Sequence, residues 1–299
     1  MSNVLIVGAG GFMGRHLASS MATRHTVTGL GRSGRPAGFP DNVAWIEHDL
    51  IRPDLPAGMP SEIDVVVHLA QSRKFRDFPS GASDVLGVNV RSTFELALWA
   101  QKAGAKKFIF TSTGGLCGTS DQPLTEAAPY VGGGRLGLYF AAKYSSELLL
   151  DALRPILSQV ILRPFFVYGV GQDSTMLVSR LIDVVKAGSP IQLQGRDGIK
   201  INPVHVDDCV AAIERAATVS GSHLLNVAGP DVVSLRDIGE IIGRCVGRAP
   251  VFALEESASP GHVVGDIRQM TDVLGPPMVR FADGIDATCK ADDAQSGAR

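Results

Sequence analysis

Hydrophobic positions fall in short runs along the first half of the chain, and stretches of helical periodicity separate them. Val4-Leu5-Ile6-Val7 is a β-branched and leucine run of the kind a buried parallel strand requires. Met13, Leu17 and Met21 then recur at helical spacing. Further strand-like runs follow at His25 to Leu30, Val43 to Ile46, Val65 to Ala70, Phe108 to Thr111 and Val160 to Arg163. Between the fourth and fifth, Asp84 to Ala103 reads as a helix closed by Gly104, with Val85, Val88, Leu96 and Ala100 on one side. Strands alternating with helices imply a parallel sheet covered on both faces. After Arg163 the alternation weakens, and Gly169, Gly171, Gly188, Pro190, Gly195 and Gly198 cut the chain into shorter pieces. Ser174 to Lys186 reads as a helix and Leu224 to Ala228 as a strand. Ser234 is placed to cap a helix that runs through Val246 and ends at Gly247.

The first strand runs directly into Gly8-Ala9-Gly10-Gly11-Phe12-Met13-Gly14. A strand, a glycine turn and a helix form the context of a dinucleotide-binding loop. The first glycine permits the tight turn, the second lets backbone approach a pyrophosphate, and the third lets helix and strand pack closely. Amides at the helix start then hold phosphate. Sites for unphosphorylated NAD usually carry an acid at the end of the second strand. Here that place reads Gly31, and Arg32 follows, with Arg35 nearby. A guanidinium suits a 2′-phosphate, so NADP is the expected cofactor and NAD the alternative. Gly8, Arg32, Asp49, Ala70 and Thr113 all fall just beyond strand carboxyl ends, where ligands lie in such sheets.

Tyr139 and Lys143 stand one helical turn apart and share a face. An ammonium held close to a phenol favours the phenolate, so such a pair can move a proton near neutral pH. By itself this spacing more often means one packed ring and one solvated amine. Gly132-Gly133-Gly134-Arg135-Leu136-Gly137 precedes the tyrosine, and its glycine density points to a mobile or tightly turned loop. It is expected to line or gate a substrate pocket where Arg135 meets an anion, or else to be a spacer.

Composition narrows the classes. With 299 residues, 45% hydrophobic and 19% charged, the chain fits a globular protein of one large or two ordinary domains. A net charge of −2 gives no ground for nucleic acid or an acidic membrane surface as partner. The longest apolar runs are far too short to span a bilayer. No cationic segment and long apolar core precede Val4, which argues against a signal peptide. Cys117, Cys209, Cys245 and Cys289 are scattered and match no metal spacing. A reducing, cytoplasmic setting is the simplest expectation. His68 and His205, the latter followed by Asp207 and Asp208, lack a third ligand at site-like spacing, so no metal is expected.

In order along residues 3 to about 285, Gly8-x-x-Gly11-x-x-Gly14, Asp49-Leu50, His68-Leu69-Ala70, Asn89, Thr111-Ser112-Thr113, Tyr139-x-x-x-Lys143, Leu162-Arg163-Pro164 and Val204-His205-Val206-Asp207-Asp208 resemble the extended short-chain dehydrogenase/reductase family, the NAD-dependent epimerase/dehydratase group. The resemblance implies a Rossmann-type doubly wound parallel sheet over residues 1–165 and about 203–228. A smaller substrate-binding domain would take 166–202 and 229–290, with 291–299 a frayed tail. It implies Tyr139 as general acid/base and Thr113 as hydrogen-bond donor to the reacting oxygen. Lys143 would bind the nicotinamide ribose and lower the tyrosine pKa. Gly8, Gly11, Phe12, Met13, Arg32, Asp49, Leu50, Leu69, Ala70, Gln71, Asn89, Thr111, Tyr139, Lys143, Pro164 and Phe166 would contact the cofactor. A small-molecule substrate and a homodimer through paired helices are implied as partners.

Three departures bear on the substrate. The Asp-Glu pair that sugar-nucleotide dehydratases of this family carry is Gly114-Gly115 here. The asparagine that epimerases of this family usually carry after the sixth strand is Phe166, and the aromatic that in the family commonly precedes a glycine, as in a V-Y-G ending, is Cys117 before Gly118. These changes weigh against a standard UDP- or dTDP-sugar and point to a less polar pocket. The expected activity is hydride transfer between nicotinamide and a carbonyl or alcohol carbon, as of a keto-sugar. The alternatives are a sugar-nucleotide epimerase with retained NAD and a non-catalytic nucleotide-binding protein.

Overall fold

A computed structural model describes residues 1–255 and 261–296. Six of the expected strands are present: β1 (Asn3–Val7), β2 (Thr26–Gly31), β3 (Ala44–Glu47), β4 (Val65–His68), β5 (Lys107–Thr111) and β6 (Gln159–Pro164). With the strand His223–Val227 they form one seven-stranded sheet in the order β3-β2-β1-β4-β5-β6, with His223–Val227 beyond β6. The pairings of β1 with β2 and β4, β2 with β3, β4 with β5, and β5 with β6 are all parallel. Order reverses between β1 and β4, which puts the ligand crevice outside the carboxyl end of β1. The strands read as near-continuous apolar runs because the sheet is buried on both faces: β4 and β5 have no exposed position.

The chain divides into two compact units. The first comprises Met1–Leu116, Pro129–Arg163 and Val210–Leu225, and the second Cys117–Ala128, Pro164–Cys209 and Asn226–Arg299. The boundary expected near residue 165 falls at Arg163, and 117–128 and 203–209 group with the second unit. The first unit's core gathers Leu5, Val7, Val66, Phe108, Phe110 and Ile161 from the sheet with Leu96, Ala97, Ala100 and Leu150 from its helices. The second has its own core, including Tyr168, Leu181, Ile182, Leu193, Ile238, Ile242 and Phe281. There Ser234 caps the helix Leu235–Val246 through a capping box with Asp237, and Gly247 ends it in the left-handed conformation (φ 68).

Two elements differ from the sequence pattern. The helix expected over Asp84 to Ala103 is three pieces, Ala82–Val85, a π-turn Leu86–Arg91 and Ser92–Lys102. A single inserted residue shifts the hydrogen-bond ladder without altering the apolar stripe, so periodicity does not register it. The tail expected from 291 continues the helix Phe281–Ser296, where alanines and the Lys290–Asp286 pair (2.6 Å) favour helix. Residues 297–299 lie outside the described residues. Among the described residues no helix is long and apolar enough to cross a membrane.

Candidate active site

The glycine turn is built as its spacing requires. Gly8 has φ 85, and a Cβ on it would lie 2.8 Å from the Ala70 nitrogen, so both conformation and the segment just after β4 demand glycine. Its amide donates to the Leu30 carbonyl (2.8 Å), and its own carbonyl accepts from the Gly11 amide (3.0 Å). A Cβ on Gly14 would lie 2.3 Å from the Gly8 oxygen, which lets the first helical turn of α1 (Phe12–Met21) press against the end of β1. Gly11 occupies the N-cap of α1 without a side-chain cap, and no acid stands in the first turn. The amides there are left for an anion.

Beside this turn lies a cavity of about 380 Å³, lined by residues from the ends of all four strands β1 to β4. Of the residues expected to contact a cofactor, Gly8, Gly11, Arg32, Asp49, Leu50, Leu69, Ala70 and Gln71 line it. Its volume falls within the usual range for a cofactor site. Arg32 reaches its wall exposed and without a hydrogen bond or ion pair among the described residues. Arg35 does not line it: this guanidinium donates to the Pro40 carbonyl and lies 3.8 Å from Asp41. Trp45, His48, Arg15, Arg73 and Asp84 also line the cavity, and the sequence reading did not single them out. Trp45 and His48 follow from β3 ending at this edge; Arg15 and Arg73 carry no local signal.

Phe12 and Met13 are half-buried on α1 outside that lining. Phe12 packs edge-on against His16, 5.5 Å between ring centres. Thr111, Thr113, Asn89, Tyr139 and Lys143 form a second group in the same unit. Tyr139 is hydrogen-bonded to Thr113 and packs against Phe75 at 5.4 Å and Phe140 at 5.0 Å. Burial pushes its phenol up to about 12, and the bond to Thr113 opposes that shift. Lys143 is buried and donates to the Thr111 carbonyl at 2.7 Å, with its ammonium 4.8 Å from the centre of the Phe110 ring. The Lys143 ammonium is thus held by the end of β5, and burial is the largest influence on the phenol. Glu147, one turn further, is held by Arg163 in a buried two-point pair at 2.9 and 2.6 Å.

Asn89 sits in the π-turn, 1% exposed. Its side chain accepts from the Ser72 amide at 2.9 Å, and its carbonyl accepts from Thr93 and Ser146 hydroxyls at 2.7 Å each. The irregular turn thereby ties the loop after β4 to the Tyr139 helix. His68 is fully buried between Phe108 and Phe110, and burial pulls it to about 3, so it is neutral core. Among the described residues no cluster of metal-binding side chains occurs. A Cβ on Gly115 would lie 2.6 Å from the Phe140 ring, so packing excludes a longer side chain there. The glycine stretch folds as a short turn, Gly133–Leu136, between Gly132 (φ 99) and Gly137 (φ 90), with Arg135 exposed. Pro164 and Phe166 belong to the second unit, and Phe166 has a strained φ of 46.

Burial pulls the Lys143 ammonium from 10.5 to about 7, against the Glu147 carboxylate, which raises it. Between those values the unfolded chain holds a proton that the folded chain lacks, so this group makes stability rise with pH across that window. Chemical unfolding of wild type and Lys143→Met at several pH values should show wild type gaining relative to the variant. A pH-independent difference would contradict the buried state described here.

Residues 4–228 match the model of the NAD dependent epimerase/dehydratase family. The UDP-glucose 4-epimerase of Mycolicibacterium smegmatis is 30% identical over 95% of this chain and 96% of its own length. The dTDP-4-dehydro-6-deoxy-D-allose reductase of Streptomyces bikiniensis is 24% identical over 96% and 95% of the two chains. Among solved structures, MoeE5 in complex with UDP-glucuronic acid and NAD superimposes with a TM-score of 0.80 at 26% identity, covering 98% and 99% of the two chains.

Proposed function

Because the chain belongs to the NAD dependent epimerase/dehydratase family, we propose that it is an NADP-dependent oxidoreductase acting on a carbonyl or alcohol carbon, with a keto-sugar as substrate class. The observation that carries this reading is the Tyr139–Thr113 pair, with Lys143 one turn away, in the unit that also holds the glycine turn and its cavity. The turn, Asp49 and the free amides of α1 fit a dinucleotide, which would supply or accept the hydride. In reduction, Thr113 donates a hydrogen bond to the carbonyl oxygen while negative charge builds on it. Tyr139, protonated at neutral pH, gives that oxygen its proton and regains one from solvent. Glu147 and Arg163 hold the helix face from which Lys143 reaches the end of β5.

NADP is favoured over NAD by Arg32, unpaired among the described residues at the cavity wall, and by Gly31 in place of an acid. Fluorescence titration should find NADPH bound more tightly than NADH, with Arg32→Ala narrowing the difference. Equal affinities in wild type would overturn the assignment. One observation favours a second reading, epimerisation with retained NAD: the Mycolicibacterium relative at 30% identity is a UDP-glucose 4-epimerase. Protein that purifies with cofactor still bound and shows no net redox turnover would select it.

A further inference from the structure

The end of β2 is glycine, and the space above it is already filled. An ideal Cβ on Gly31 would lie 2.5 Å from Cζ2 and 2.6 Å from Cη2 of Trp45. On Gly29 it would lie 3.1 Å from Cε3 and Cζ3 of the same ring and 2.9 Å from the Ala9 methyl. The indole lies across both glycines and reaches Gly10, whose Cβ would stand 3.4 Å from Cη2. It is held there from two sides. Its Nε1 donates to the Ser33 carbonyl at 3.2 Å, and Phe39, itself buried, packs edge-on at 5.1 Å. Rotation away would break that bond and push into Phe39, so a side chain at 31 cannot displace the ring cheaply. Trp45 comes from β3, where it pairs with Gly29, and it lines the cavity together with Arg32, Ser33, Gly34 and Pro36.

We infer that Trp45 sets cofactor choice in this chain by occupying the volume an acid at position 31 would need. The inference rests on the proposed dinucleotide cavity, and it adds a cause that the absence of an acid does not supply. A carboxylate at the end of β2 accepts from the ribose hydroxyls and repels a 2′-phosphate. With the indole in place no carboxylate can stand there, and the wall offers Arg32 instead. Position 31 and position 45 are therefore one device, and a change at the first acts only when the second makes room.

The test is a double-mutant cycle read by calorimetric titration with NADPH and NADH and by thermal melting. Gly31→Asp alone is expected to lower the melting temperature and to leave the NADPH-to-NADH affinity ratio in place. In a Trp45→Ala background the same change should fold without that penalty and shift the ratio toward NADH by roughly tenfold or more, as expected for hydrogen bonds to a charged group. An equal shift in both backgrounds, or no shift in either, would overturn the inference. Gly31→Ala supplies a reading that needs no cofactor: its melting penalty in wild type should vanish in Trp45→Ala, and an undiminished penalty would also overturn it. Failure of wild type to prefer NADPH would instead sink the cofactor assignment, because the coupling between the two positions is measured independently of which nucleotide wild type prefers.

Discussion

Tyr139→Phe is expected to lower NADPH-dependent reduction of a keto-sugar that wild type turns over by about 10²- to 10⁴-fold, the usual contribution of a positioned acid. The ring contacts with Phe75 and Phe140 survive the change, because only the hydroxyl is removed. Cofactor affinity should therefore stay as in wild type, and the loss should appear in kcat rather than in binding. The phenol is pushed up to about 12, so it is fully protonated at neutral pH and suited to donate. Oxidation of the corresponding alcohol requires the phenolate, and its rate should climb with pH well beyond neutrality. Activity that survives intact in the variant would remove Tyr139 from the chemistry.

Gly14→Ala should abolish dinucleotide binding and destabilise the fold by about 1–3 kcal/mol, the cost of an extra methyl in a packed contact. The new methyl would start 2.3 Å from the Gly8 oxygen and 2.7 Å from the Ala9 Cα. These are backbone atoms, and no rotamer change can clear them. Either α1 moves off β1 or the turn deforms, and each outcome displaces the α1 amides that the proposed dinucleotide would need. A control, Gly134→Ala, whose new methyl would meet nothing within 4 Å among the described residues, should melt like wild type. Circular dichroism melts and NADPH titration check both, and retained binding in Gly14→Ala would contradict the role given to the turn.

Much of this was legible in the residues. Buried parallel strands announce themselves as unbroken apolar runs, so β1 to β6 could be read, and the points just beyond their ends gave the cavity-lining residues Gly8, Arg32, Asp49 and Ala70. Ser234 and Gly247 marked the ends of their helix because caps have chemical signatures. What stayed hidden depends on side-chain direction or on contacts between distant segments. The i, i+4 spacing places Lys143 beside Tyr139, yet the amine's direction is decided by the Thr111 carbonyl on another element. Trp45 read as one more strand residue, because its importance comes from two glycines on the neighbouring strand. The π-turn left the apolar stripe unchanged, and so nothing in the pattern exposed the carbonyl of Asn89 that two hydroxyls use.

The most direct measurement is a crystal structure with NADPH and an unreactive keto-sugar analogue. The account predicts the hydride-bearing carbon and the Tyr139 and Thr113 hydroxyls converging on one carbonyl group, at separations of about 3–3.5 Å, with the 2′-phosphate against Arg32. A nicotinamide ring seated elsewhere, or a Tyr139 hydroxyl facing away from the analogue, would contradict it.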